Sequence, residues 1–178
     1  NSNPLSNPIF MKLFGIETEK ILSFCAIIIS IGTFGSILYQ NSLYKRQQYA
    51  SVLPYIEIWH RNTPDVFSVQ IVNSGVGPAF IEKFEVIYGD SIYEGDLPSF
   101  LIEKRTGFVK NLRHSNTPKG MIIPAGKTIE TIWAESDSTL IANVKKAYKD
   151  LNLRITYSSV YGEKWVKTRF ETIPVKID

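Results

Sequence analysis

The sequence predicts a mainly β protein with one N-terminal transmembrane helix. Three observations predict it. An uncharged apolar run fills residues 21–39, alternation of apolar and polar residues sets in from Tyr55, and turn residues break the alternating segments at about 8–12-residue intervals. The apolar run is ILSFCAIIISIGTFGSILY, closed by Lys20 on one side and by Gln40-Asn41-Ser42 and Lys45-Arg46 on the other. At a helical rise of about 1.5 Å per residue it reaches roughly 28 Å, which matches a hydrocarbon core of about 30 Å.

Residues 1–20 form a polar tail, rich in Asn and Pro at its start. The native start stays open between Met11 and an upstream position. A cleaved signal peptide is the rival reading of 21–39. The run is longer than the usual apolar region of such signals, and Glu17 and Glu19 stand where basic residues belong. We therefore expect a retained span. Lys12 and Lys20 precede it and Lys45 and Arg46 follow it, so the positive-inside count is even. The Lys45-Arg46 pair beside the membrane gives the expectation of a cytoplasmic C-terminal domain at the inner membrane. Ala26 and Ser30, and likewise Gly32 and Ser36, are small residues four apart, candidate helix-packing positions. Residues 40–53 continue as a helical stalk until Pro54, which pushes the residue before it out of the α region.

The domain of residues 54–178 follows as a series of short strands. YIEIW, Val66–Asn73 and Ala79–Tyr88 alternate, with Phe67, Val69 and Ile71 on one face of the second. Asn73-Ser74-Gly75-Val76-Gly77-Pro78 reads as a turn from its Gly and Pro content. Asn73, Gly75, Gly77 and Pro78 are its structural residues. SIYEG is a short return strand, and LPSFLIEKR can form a brief helix with Asp96 as its cap. MIIPAGKTIETIWAE resumes strand character. The segment SDSTLIANVKKAYKDL is the one soluble helix the pattern defends, capped by Asp137 or Ser138, with Leu140, Ile141, Val144, Ala147, Tyr148 and Leu151 at helical spacing. LRITYSS and KWVKTRFETI close the chain around a Tyr161-Gly162 turn. About seven short strands suggest an antiparallel immunoglobulin-like β-sandwich with one short soluble helix, with a small β-barrel as the alternative.

Composition limits the chemistry. Twenty basic against seventeen acidic residues give a net charge of +3, and the signs are interleaved, so no nucleic-acid partner is expected. The one cysteine, Cys25, lies inside the apolar run, which excludes an intramolecular disulfide and a cysteine-rich zinc site. Gly75-x-Gly77 lacks the third glycine of a dinucleotide loop and is followed by a strand, whereas that motif needs a helix N-terminus aimed at phosphate. His60 and His114 are far apart and have no H-x-x-x-H partner, and no G-x-S-x-G elbow occurs. Asp90, Glu94 and Asp96 lack the frame of a calcium loop. No catalytic residue, cofactor or metal is expected, and the chain reads as a non-enzyme. Arg105, Lys110, Arg113, His114 and Lys119 make one loop region basic, so Arg105, Lys110, Arg113 and Lys119 are candidate contacts for an anion.

The segment KRQQYASVLPYIEI after the span, the strand-turn-strand VQIVNSGVGPAFIEKFEV and the late ITYSSVYGEKW together resemble a set of uncharacterised bacterial single-pass membrane proteins. In these a basic-Gln segment with Pro-Tyr after the span precedes an N-x-G-x-G-P-A turn, and Leu53 stands where Trp is common. The resemblance covers most of the chain from about residue 20 and implies architecture without an activity. The function expected is a membrane-anchored binding or scaffolding module with the lipid bilayer, other membrane-complex subunits or a second copy as partners. The alternative is a ligand-sensing membrane effector whose β domain binds a small anionic signal.

Overall fold

The structure is a computed structural model that describes residues 18–104 and 112–177. Three helices and ten strands occur among them. The chain divides into two compact units between Gln47 and Gln48.

Helix α1 spans Thr18–Ser51, 34 residues, and is exposed on every side. It is long and apolar enough to cross a membrane, with a mean hydropathy of 2.3 over its most apolar stretch. Its hydroxyls turn inward on the helix itself. Ser23, Ser30, Thr33 and Ser36 donate to the carbonyl oxygens of Glu19, Ala26, Ile29 and Gly32 at 2.7–2.9 Å. This i−4 pattern satisfies a polar side chain where no water is at hand. The helix stops at Ser51, two residues short of the expected Leu53. Val52 and Leu53 bond back to Tyr49 and Ala50 at 3.4 and 3.5 Å. This is the tighter i−3 turn that takes over once Pro54 forbids further α geometry.

In the second unit two antiparallel sheets form. One has the order β1(Ile56–Asn62)-β2(Val66–Asn73)-β7(Thr128–Glu135)-β5(Arg113–His114). The other has β10(Val175–Ile177)-β9(Lys164–Thr168)-β8(Leu151–Ser158)-β3(Ala79–Tyr88)-β4(Ser91–Glu94), with β6(Ile122–Ile123) also paired to β3. Phe67, Val69 and Ile71 do share the buried face of β2. Side chains of both sheets meet in common cores: Val69 and Ile132 with Val86 and Leu153, and Ile56 and Ile71 with Ile81, Ile155 and Tyr157.

The expectation of a single soluble helix needs correction. Besides α3 (Ser138–Lys149), α2 forms over Leu97–Lys104. Asp96 starts it: one carboxylate oxygen accepts from Ser99 N–H at 3.0 Å and the other from Thr117 N–H at 2.6 Å. Leu97, Phe100 and Leu101 then bury against the core. Asp137 caps α3 as read from the sequence, accepting from the N–H groups of Thr139 and Leu140. The last strand is also shorter than expected. It ends at Thr168; Arg169 still donates its N–H to Leu153 O at 3.0 Å while its side chain covers the end of α3, and β10 then folds back to pair with β9.

Candidate functional site

Two built features stand out in the second unit. The first is the turn after β2. Asn73 is fully buried and uses its whole amide. Its Oδ1 accepts from the N–H groups of Tyr55 and Gly75, each at 3.1 Å. Its Nδ2 donates to the carbonyls of Gly77 at 2.8 Å and Ile123 at 2.9 Å. One side chain thus joins the strand that leaves α1, its own turn and the segment before β7. Val76 N–H also donates to Leu53 O at 3.0 Å. A Cβ on Gly75 would run into the backbone of Leu53 and Tyr55, and one on Gly77 into that of Val52. The glycines are there because the chain passes directly over the exit from α1, and no side chain fits between.

The sequence-predicted packing positions lie on α1. Ala26 and Ser30 share one face, and Gly32 and Ser36 share another. At about 100° per residue the two pairs sit roughly 120° apart around the helix, so they form no single stripe. Among the predicted anion contacts, Arg105 and Lys110 lie outside the described residues. Arg113 pairs with Glu135 at 3.1 Å in a recess that Glu130 also lines. Lys119 is on the rim of another cleft, beside Lys83, Glu94 and Asp96. Arg113 is thus paired with an acid, and Lys119 shares its cleft with acids.

The second feature escaped the sequence reading. A cleft of about 410 Å³ opens between β1, the end of α3 and Arg169. His60, Asn62, Lys145, Lys146, Lys149 and Arg169 line it, and no carboxylate among the described residues does. Phe67 and Tyr148 form its apolar part, their rings edge-on at 5.5 Å between centroids. Arg169 stacks over the Tyr148 ring at 3.9 Å. Its Nη1 donates to the carbonyls of Tyr148, Lys149 and Leu151 at 2.8, 3.3 and 2.6 Å. The guanidinium is thus a cap on the C-terminal end of α3, where the helix dipole favours a cation. Lys145 donates from Nζ to Thr63 O at 2.9 Å. The only sequence-level signal was Lys145 and Lys149 themselves, like charges four apart on one helix face, an arrangement that costs helix stability.

Tyr148 is 2 % exposed, and its hydroxyl has no hydrogen-bond partner among the described residues. Burial pushes its pKa up to about 12, with the nearby Arg169 charge pulling the other way. An unmet buried hydroxyl costs about 1–3 kcal/mol. Tyr148→Phe keeps the ring and removes that cost. It is expected to raise the unfolding free energy by about 1 kcal/mol, read by urea denaturation of the full chain in nonionic detergent with tryptophan fluorescence. A fall of that size instead would mean that the hydroxyl has a partner in solution.

No group of His, Cys, Asp and Glu among the described residues is arranged to hold a metal ion. Among curated proteins, none matches this sequence. The family described as a domain of unknown function, DUF8453, matches residues 18–174 and so takes in α1 and every strand but β10. Since that match covers most of the chain, the protein belongs to the DUF8453 family.

Proposed function

We propose that this chain is a single-pass membrane protein whose β domain is a binding or scaffolding module in a bacterial inner-membrane complex. The observation that carries the reading is α1: a 34-residue helix whose residues 21–39 are uncharged and apolar around the circumference, and which is buried nowhere. Such a surface is stable only against hydrocarbon or other apolar surface. The alternating strands and the two sheets around common cores support an immunoglobulin-like sandwich as the module. We place it on the cytoplasmic side, after the basic Lys45-Arg46 pair.

Expressed whole, the protein is expected to stay with membranes through alkaline carbonate washing and to leave them only in detergent, at full length. Recovery in the soluble fraction, or as a shorter species cut near residue 35, would overturn the anchor. In the same preparation, other membrane chains should co-purify in mild detergent. A protein that emerges alone and monomeric would remove the complex from the reading. Cysteine placed at the exposed Ser115 reports the side, since the one native cysteine is Cys25 within α1. Labelling of intact cells by an impermeant thiol reagent would put the domain outside.

A further inference from the structure

The structure assigns an anion-binding site to the cleft between His60, Lys145, Lys149 and Arg169, and we propose that its ligand is a phosphate-bearing group. The cleft carries charge that the fold does not need. Cations are favoured near the C-terminus of a helix because they offset the dipole and satisfy the last carbonyls. In α3 that work is done by Arg169, whose guanidinium holds three carbonyls at once. Lys145 and Lys149 add two more positive charges one turn apart on the same face. No carboxylate among the described residues pairs with Lys145, Lys149 or Arg169, although ion pairs are made elsewhere on the domain. Mutual repulsion without compensation destabilises the free protein, and an anion between the groups relieves it.

Geometry narrows the class of ligand. The cleft is concave and open to solvent, which favours a charged group over an apolar one. Its donors come from three directions: the imidazole and amide of His60 and Asn62 on β1, the lysines on α3, and Arg169 after β9. Lys145 spends one of its three ammonium protons on Thr63 O, and the Arg169 bonds to carbonyls all come from Nη1. Both therefore keep donors to offer. A tetrahedral oxyanion with several acceptor oxygens can meet donors converging in this way, and phosphate does so with more charge than a carboxylate. The phosphate of a soluble metabolite and that of a lipid headgroup share this chemistry. The inference stands apart from membrane anchoring, because the cleft belongs wholly to the second unit.

The test uses the full chain in nonionic detergent, titrated with inorganic pyrophosphate and followed by calorimetry. Saturable binding is expected, and Lys145→Ala/Lys149→Ala should weaken it at least tenfold. Lys149 is exposed and Lys145 half-buried, and alanine suits both helix positions, so the fold should persist, which circular dichroism verifies. Lys119→Ala, a cation elsewhere on the domain, should change affinity less than twofold. Glycerol 3-phosphate and dihexanoyl phosphatidic acid then separate the two sources. Tighter binding of the short lipid by tenfold or more points to a headgroup, and equal binding to a soluble ligand. Failure of pyrophosphate to saturate, or equal losses in the Lys119 variant and the double variant, would overturn the site.

Discussion

Asn73→Ala is expected to lower the unfolding free energy of the β domain by about 3–5 kcal/mol. The substitution leaves two N–H groups, of Tyr55 and Gly75, and two carbonyls, of Gly77 and Ile123, without the partner that serves all four. Each unmet buried group costs about 1–3 kcal/mol, partly recovered by water and by local shifts. Asn73→Asp separates the two halves of the interaction. It retains the acceptor for Tyr55 and Gly75 but aims a carboxylate oxygen at two carbonyls, so it should be no milder than alanine. Gly77→Ala tests the same junction by steric means, since its Cβ would overlap the Val52 backbone. Urea denaturation of the full chain in detergent, monitored by Trp59, Trp133 and Trp165 fluorescence, reads all three. A cost below about 1 kcal/mol for Asn73→Ala would mean that the turn holds without its amide.

Raising the pH should unfold the domain between about pH 10 and 12. Tyr148 and Tyr157 are buried, and loss of solvation pushes each phenol up to about 12. In the unfolded chain both ionise near pH 10. A group whose folded pKa is raised contributes stability that is fully present below the unfolded value and lost as the pH climbs to the folded one. At 1.36 kcal/mol per unit, the pair accounts for about 5 kcal/mol. That is of the order of the whole stability of a marginal domain. Tyr157 is further held by stacking on Trp165 at 5.8 Å, and its hydroxyl oxygen accepts from Ile56 N–H at 3.3 Å. Phenolate absorbance should show two tyrosines titrating late, in step with the loss of near-ultraviolet dichroism. If every tyrosine ionises near pH 10 while the dichroism persists, the two rings are not held as described.

Local signals were legible in the sequence and meetings between distant segments were not. Strands β2 and β3 have the bounds that alternation gave them, and Asp137 caps α3, because each depends on neighbours within a few residues. The same holds for the apolar length of α1. Strand β5, two residues long, has no periodicity to read and exists only because β7 offers it an edge, whereas β6 falls in the MIIPAGKTIETIWAE segment read as strand-like. Helix α2 and its Asp96 cap on Ser99 were likewise local signals, whereas the second bond of Asp96, to Thr117 twenty-one positions on, lies in no local window. The basic cleft was invisible for that reason too. His60, Lys145 and Arg169 look like ordinary surface residues until three segments bring them together, whereas the visibly basic loop proves to have acids beside Arg113 and Lys119.

The hydroxyls of α1 carry a last implication. Ser23, Ser30, Thr33 and Ser36 each close a ring with a carbonyl one turn back. Those donors are spent inside the helix, so they set no polar condition on what lies next to it. A segment closed in this way is chemically complete on its own. As the membrane span proposed above, it would be released into hydrocarbon singly during biogenesis, before any other chain is made, and whatever it later met there would be selected by shape.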